Sequence, residues 1–304
     1  MKHFAPLLLA TLSLGACGNY SNEDLDFQLA LPEDGELDAK LPQALTLDTS
    51  SEYYKLTRQV VTTFNGWAAA LVSLVDDVRR YSPTSRNGAE RIWGPFADDK
   101  HPGWQIRVVM VRVADPNAPA PAFRVSYSIQ LRNAAQKDSV FFDFMTGNYS
   151  SSGSARRGQG DMLLDVKTAR DAQFPVDDFG DLERLDLAYD TANYPITVHM
   201  VVQNVATAKN RGADYSYAEN ADGSGTLIFD LTVDAVPGVP GATDVTFISH
   251  WLGSGAGRTD AYLKGVAVDT PVGIDCWGTS TVADYVWRWN GQGNFGSADS
   301  CVYQ

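Results

Sequence analysis

The sequence predicts a mainly β protein of the α+β class, a large curved antiparallel meander or half-barrel packed on one long N-terminal amphipathic helix. Over residues 52–81, apolar side chains recur every three or four positions, which is the spacing of one helix face. After about residue 90, apolar and polar residues alternate with a period of two, and turn sequences rather than helical patterns separate the segments. Because a sheet of roughly ten or more strands curls or closes, we expect its apolar face to cover the helix.

The predicted helix begins at Glu52 and ends near Tyr81. Thr49 and Glu52 match a T-x-x-E capping box, whose side-chain oxygens accept from free backbone N–H groups of the first turn. Two arginines near the negative end of the helix dipole, followed by Pro83, mark the end of the helix. The apolar stripe consists of Tyr53, Leu56, Val60, Phe64, Trp67, Leu71, Leu74 and Val78.

The strand segments alternate in the manner of an antiparallel sheet that has one apolar face and one wet face. Since no helical pattern lies between them, a parallel sheet is not expected, and no fixed repeat length indicates a propeller. The segments are 104–113, 123–132, 139–149, 161–167, 184–190, 196–203, 214–219, 226–234, 245–251 and 259–268.

The first residues are typical of an export signal. A basic start at Lys2 and an apolar run over residues 4–14 precede the tetrad Leu14-Gly15-Ala16-Cys17. This tetrad resembles the lipobox of bacterial lipoproteins. The alternative is an ordinary signal peptide with an incidental cysteine at its end.

The lipobox resemblance implies that residues 1–16 are a signal peptide and that Cys17 carries the lipid, on its thiol and on its new amine. Several acyl chains would anchor the mature protein firmly to a membrane. The resemblance also implies a place in the cell envelope, and Gly18, where an Asp would favour inner-membrane retention, favours the outer membrane, on its periplasmic or surface face.

The segment 17–48 is acidic and poor in aromatic residues, which predicts a disordered spacer between the lipidated Cys17 and a single domain over 49–304. An acidic partner site or a weak cation site is the alternative. The whole chain has 37 acidic and 24 basic residues, for a net charge of −13. Since phosphate contacts need clustered Lys and Arg, no nucleic-acid partner is expected.

Apart from Cys17, the chain has two cysteines, Cys276 and Cys301. They form an even pair, which in an exported protein predicts a disulfide. The segment around and between them is rich in aromatic residues and glycine, including Trp287 and Trp289. It is interpreted as a final hairpin pinned at the sheet edge or, alternatively, as an aromatic platform for a sugar or a peptide. The Asp-Cys-Trp sequence at 275–277, with Cys301, resembles the tail of uncharacterised bacterial lipoproteins, which transfers no activity.

The sequence carries no motif for catalysis, and neither a metal ligand set nor a cofactor is expected. No H-E-x-x-H, C-x-x-C, G-x-S-x-G or P-loop sequence is present. His199 and His250 are conceivable catalytic bases if another strand supplies a carboxylate. An enzyme acting on envelope polymers is therefore the least favoured hypothesis.

The favoured hypothesis is a non-enzymatic lipoprotein that binds or carries an apolar ligand, such as an acyl chain, in the concavity of its sheet. The layout is similar to that of half-barrel carriers of lipids and lipoproteins in the bacterial envelope, by analogy alone. The alternative is an envelope scaffold or interaction protein without a cavity. Candidate ligand-lining residues are Trp67, Phe123, Tyr127, Phe142 and Phe144.

Overall fold

The computed structural model describes residues 22–43, 50–113, 123–154, 157–206, 212–233, 243–264 and 271–303. The predicted signal peptide, Cys17, Gly18 and Thr49 lie outside these residues, as do the last residue of the predicted strand segment 226–234 and the end of segment 259–268, beyond residue 264. Lipidation of Cys17 therefore stays a prediction.

The described part of the chain contains fourteen strands, hydrogen-bonded in chain order in one open antiparallel sheet. The prediction of a mainly antiparallel β protein is confirmed. The strands are β1 Ser85–Asn87, β2 Glu90–Ala97, β3 Trp104–Val113, β4 Arg124–Asn133, β5 Phe142–Ser154, β6 Arg157–Asp165, β7 Leu182–Asp190, β8 Ile196–Asn204, β9 Gly212–Glu219, β10 Gly225–Val233, β11 Thr243–Trp251, β12 Gly257–Leu263, β13 Gly273–Trp277 and β14 Ala283–Arg288.

Each of the ten predicted strand segments corresponds to one of these strands, with shifted ends. Of the other four strands, β13 and β14 form a hairpin within the C-terminal segment, whereas β1, which has only three residues, and β2 were missed. In β2 the pairing with β3 shifts register between Trp93 and Phe96, around Gly94 and Pro95. Proline removes a ladder donor and breaks the alternation, so β2 lacks the period-two pattern.

The helices are α1 Asn22–Leu29, α2 Glu52–Arg80 and α3 Val166–Asp171, and two short 3₁₀ helices lie at Asp177–Phe179 and Ala298–Ser300. No helix in the described residues is long and apolar enough to cross a membrane. The packing of one long helix under a curved sheet remains a prediction.

The predicted stripe of α2 was partly wrong, because the buried face is rotated relative to it. Val60, Phe64 and Leu71 are buried as expected, but Tyr53, Leu56, Trp67 and Leu74 are only half-buried. The face also contains the small residues Thr57 and Ala68, which a search for large apolar side chains passes over. The fully or almost fully buried residues of α2 are Tyr54, Thr57, Val60, Val61, Phe64, Ala68, Leu71, Val72 and Val75.

The chain divides into two compact units. Unit 1 comprises the chain up to Leu37, Trp67–Asn193 and Val202–Arg211, and unit 2 comprises Asp38–Gly66, Tyr194–Val201 and the chain from Gly212 onward. The domain boundaries predicted from the sequence, after residues 16 and 48, stay predictions.

The expectation of a disordered spacer is wrong for the described residues that follow Asn22. In unit 1, α1 and the residues after it place Phe27, Leu31 and Leu37 in the core. The buried carboxylate of Asp24 pairs with the buried guanidinium of Arg91 at 2.7 Å. Counting charges suggests solvation here, but the decisive features are a few large apolar side chains and an arginine partner for the acid.

Candidate functional site

Three buried tyrosines lie on the apolar face of strands β4 to β7 in unit 1. Tyr127 on β4 is directly opposite Gly147 on β5. Tyr149 on β5 and Tyr189 on β7 are both directly opposite Gly160 on β6, one from each side. We define the tyrosine–glycine layer as Tyr127, Tyr149, Tyr189, Gly147, Gly158 and Gly160.

Each glycine of the layer provides space for a ring on a neighbouring strand. A Cβ at Gly147 would collide with the Tyr127 ring, one at Gly158 with the Tyr149 ring, and one at Gly160 with the Tyr189 ring. None of the three glycines has a left-handed φ, so they are required for close approach rather than for backbone freedom. Aromatic rings packed over strand glycines restore the contacts that glycine lacks.

The hydroxyl groups of the layer differ in their hydrogen bonds. Tyr127 donates to the backbone oxygen of Asp161 at 3.2 Å. Tyr149 and Tyr189 are 3% and 6% exposed, and within the described residues neither Oη atom makes a hydrogen bond of ordinary geometry, although the Ser151 hydroxyl lies near that of Tyr149. A buried polar group without a partner costs about 1–3 kcal/mol. Such groups are usually satisfied by an ordered water or a bound molecule.

Both phenols are neutral at physiological pH. Burial raises the pKa of Tyr149 to about 12, with a smaller rise from the negative charge of Glu36 and an opposing effect of the Ser151 hydroxyl. Burial likewise raises the pKa of Tyr189 well above its ordinary value, and the charge of Glu36 again acts in the same direction. A neutral phenol can donate a hydrogen bond, so the layer offers two donors to a partner.

Several sheet residues around the two phenols are apolar. The row that contains Tyr127 and Gly147 continues across the sheet to Met162 and Leu187. Met162, Leu187 and, opposite Tyr149, Val125 are buried. This arrangement suits a molecule that is mostly apolar and carries an oxygen able to accept from Tyr149 or Tyr189.

The structure places the predicted ligand-lining residues at different points of unit 1. Tyr127 belongs to the layer, and the half-buried Phe123 packs against Tyr149 with ring centroids 5.8 Å apart. Phe142 and Phe144 instead join an aromatic cluster, through Trp104 at 6.2 Å and Phe174 at 6.0 Å respectively. The half-buried Trp67 lies on α2.

Sequence reasoning missed Tyr149 and Tyr189 as site residues. The available signal was the pair Gly158 and Gly160 two residues apart, followed by a strand that contains a tyrosine. In the sequence these glycines lie in the Ser- and Gly-rich stretch 150–160, which is typical of a solvated loop, whereas the structure places them in β6.

His199 and His250, the two candidate catalytic bases, contact polar side chains of neighbouring strands. His199 on β8 has its Nε2 atom 2.8 Å from Asp214 on β9, but both side chains are exposed. His250 accepts from or donates to Thr226 at 2.9 Å and stacks on Tyr303. Burial lowers the pKa of His250 below the ordinary value of a histidine.

His101 and Asp98 form a further pair, in which Nδ1 of His101 lies 2.7 Å from a carboxylate oxygen of Asp98. The His101 ring also packs against Phe174. This pair was not foreseen. Asp98 also accepts from the backbone N–H groups of Lys100 and His101, which makes it part of a turn. Turn formation therefore accounts for the pair without a catalytic role.

Unit 2 contains a second set of polar groups, around the start of α2. The buried carboxylate of Asp275 accepts from Ser51 Oγ at 2.6 Å and from the backbone N–H of Tyr53 at 3.1 Å. Its other oxygen, Oδ1, lies 2.6 Å from Nη1 of Arg288, an ion pair that lacks the angles of a hydrogen bond. Ser51 Oγ in turn accepts from the backbone N–H of Tyr54, so Ser51 caps the helix. The predicted capping residue Thr49 lies outside the described residues.

Farther along α2, three buried hydroxyls in unit 2 satisfy one another. Thr57 Oγ1 lies 2.7 Å from Ser249 Oγ, which lies 2.8 Å from Thr259 Oγ1. These groups need no external partner, so we assign them a structural role.

The predicted disulfide between Cys276 and Cys301 is confirmed. It joins β13 to the segment after β14, where Phe295 and Val286 exchange two backbone hydrogen bonds. The tail therefore covers part of the last strand of the sheet, which protects an edge. Two of its aromatic side chains are exposed, Trp289 at 45% and Phe295 at 50%.

In the described residues, no group of three or more His, Cys, Asp or Glu side chains is arranged to hold a metal ion. Comparison of the chain with protein families, with curated proteins and with solved structures finds no match.

Proposed function

We propose that the protein is an exported lipoprotein that binds an apolar ligand on the concave face of a curved sheet, without catalysis. The ligand is a molecule with an acyl-like body and one oxygen acceptor. The observation that carries the proposal is the pair of buried phenol hydroxyls, on Tyr149 and Tyr189, that lack partners among the described residues. Two neutral donors in an apolar wall suit an ester, acid or hydroxyl oxygen of such a molecule.

The membrane part of the proposal rests on the resemblance of residues 14–17 to a lipobox. A lipid on Cys17 would hold the protein on a leaflet that is itself a source of acyl chains. The outer membrane is the proposed location because Gly18, not Asp, follows Cys17. The curved meander that covers the apolar face of α2 is part of the same proposal, since it would supply the concavity.

The experiment is native mass spectrometry of the protein purified from membranes, with identification of any copurified molecule. We expect an acyl-containing molecule at near one-to-one occupancy. The double variant Tyr149→Phe with Tyr189→Phe removes both donors and little volume, so it should lose most of that occupancy. The matched control is Tyr215→Phe, which removes a buried phenol from unit 2.

Two outcomes would contradict the proposal. One is the absence of any bound molecule from the unaltered protein. The other is equal occupancy in the double variant and in Tyr215→Phe. If the thiol of Cys17 is found unmodified in protein isolated from cells, the membrane anchor is wrong, while ligand binding at the layer remains testable.

A second candidate function is that of an envelope interaction protein, and the exposed aromatic side chains of the tail favour it. Trp289 and Phe295 are large, exposed apolar groups in the segment that the disulfide between Cys276 and Cys301 closes. Surface aromatics of this kind are common anchors of protein interfaces. Affinity capture with Trp289→Ala and Phe295→Ala should then lose a partner that the unaltered protein recovers, and unchanged recovery would reject this candidate.

A further inference from the structure

Two arginines and two glutamines alternate on the polar face of strands β3 and β4 in unit 1. Gln105 is directly opposite Arg132, and Arg107 is directly opposite Gln130. The arginines are therefore diagonal neighbours, with roughly 7–8 Å between Cβ atoms in such pairs, within reach of long side chains. We define the arginine cluster as these four residues and Phe141.

Each arginine of the cluster is oriented by a neutral amide. Arg107 Nε donates to Oε1 of Gln130 at 2.6 Å, and Arg132 Nη2 donates to Oε1 of Gln105. An amide oxygen fixes the guanidinium but does not neutralise its charge. Asp143 contacts the cluster through Gln130, whose Nε2 atom donates to it at 2.8 Å.

Several other arginines in the described part of the chain pair directly with acids. Arg91 pairs with Asp24, and Arg184 pairs with Asp186 at 2.7 Å. The chain as a whole carries an excess of 13 negative charges. A pair of adjacent cations held by amides is therefore unusual for this chain and indicates an anionic partner from outside it.

The ring of Phe141 packs against both guanidinium groups. Its centroid lies 4.0 Å from Cζ of Arg107 and 4.6 Å from Cζ of Arg132. These contacts hold the two planar forks in place without using their N–H donors. Nε of Arg132 is buried and has no hydrogen-bond partner within the described residues.

We propose that the arginine cluster is a binding site for a phosphate group. A phosphate offers several oxygen acceptors, and arginine forks bind them with two parallel, charge-assisted hydrogen bonds. Two forks next to each other can contact one phosphate from two sides. The source is either free phosphate or the headgroup of a membrane phospholipid. Val140, beside Phe141 and 78% exposed, would suit the apolar layer below a headgroup.

The test uses the full chain with Cys17→Ser, so that no acyl anchor contributes to membrane binding. Inorganic phosphate is titrated by calorimetry, and vesicles of phosphatidylcholine alone or with phosphatidylglycerol are tested by flotation. We expect saturable binding in at least one arm, weakened at high salt because exposed charges are screened. Arg107→Gln with Arg132→Gln should weaken it at least tenfold.

The matched control is Arg184→Gln, which removes an exposed cation that already has an acid partner, and it should leave binding unchanged. Arg107→Lys with Arg132→Lys keeps the charge but loses the forks, so an intermediate loss is expected. Binding of free phosphate that also releases the vesicles identifies a soluble phosphate as a ligand. Vesicle binding that phosphate does not reverse identifies the headgroup.

The proposal is overturned if neither phosphate nor vesicles bind, or if the glutamine double variant and Arg184→Gln weaken binding equally. The lysine double variant guards against misfolding of the glutamine variant. Since the readout does not involve the tyrosine–glycine layer, failure here leaves the proposed ligand at Tyr149 and Tyr189 unaffected, and the reverse also holds.

Discussion

Both units pack aromatic rings over strand glycines, but they differ in what becomes of the polar atoms on those rings. In unit 1 the rings are tyrosines, and the hydroxyls of Tyr149 and Tyr189 lack partners in the described residues. In unit 2, Trp277 lies over Gly257 and its Nε1 atom donates to the backbone oxygen of Gly255 at 3.1 Å. The polar atom of the ring is therefore hydrogen-bonded at Trp277, whereas within the described residues those of Tyr149 and Tyr189 in unit 1 are not.

The comparison has one exception within unit 2. Trp251 lies over Gly225, and its buried Nε1 atom has no partner among the described residues. It is a single donor, however, whereas unit 1 has two on strands that flank the same glycine-bearing strand. Three buried hydroxyls of unit 2, on Thr57, Ser249 and Thr259, bond to one another. Hydrogen bonding of the buried polar atoms, not aromatic packing, therefore separates a structural core from a candidate binding surface.

The largest loss in the free energy of unfolding is expected from a substitution at the buried carboxylate of Asp275. Asp275→Asn removes the charge that neutralises Arg288 and weakens the cap at Ser51. Breaking a buried ion pair by removing one partner typically costs about 3–5 kcal/mol. Urea unfolding should show this loss. Asp186→Asn, in an exposed pair with Arg184, is the control and should change little. A loss below about 1 kcal/mol at Asp275 would show that the network is not essential to unit 2.

The next effect concerns the disulfide. Replacing Cys276 and Cys301 by serine opens a link between positions 25 residues apart and should cost on the order of 3 kcal/mol. The measurement is the free energy of unfolding with and without reductant. The unaltered protein in reductant should match the serine variant. If reductant has no effect on the unaltered protein, the disulfide does not stabilise the fold.

A smaller effect is expected at Gly160 in the layer. Gly160→Ala places a Cβ against the Tyr189 ring and a backbone oxygen, and overpacking of this kind costs about 1–3 kcal/mol. Gly66→Ala in α2 is the matched control, because nothing lies near its Cβ, and it should stabilise by up to about 1 kcal/mol. Tyr189→Leu should restore part of the loss in Gly160→Ala. Equal effects at Gly160 and Gly66 would contradict the close packing.

The strands were predictable because alternation is local. Residues two apart share a face of a strand, so segments such as β3 and β8 could be identified from the sequence alone. The disulfide followed from counting cysteines. The buried face of α2 was less predictable, because Thr57 is buried through hydroxyl partners on β11 and β12 that are about 190 and 200 residues away in sequence.

The candidate site was not predictable for a related reason. Which glycine lies opposite Tyr149 or Tyr189 depends on the register between strands, and a shift by one residue would reverse the face. The absence of partners for their hydroxyls is also a property of the packed structure. Sequence reasoning found Tyr127, whose strand alternates clearly, but could not pair it with Gly147.

The smallest effect is also the one that tests the comparison most directly. In ligand-free protein, Tyr189→Phe should leave the free energy of unfolding unchanged or raise it by up to about 1 kcal/mol, because it removes a buried group that has no partner. Thr57→Val in unit 2 removes a hydroxyl that has partners and should cost about 1–2 kcal/mol. Paired unfolding curves would measure both. If Tyr189→Phe costs as much as Thr57→Val, the Tyr189 hydroxyl already has a partner in the ligand-free protein, such as an ordered water, and the two units do not differ in the way proposed.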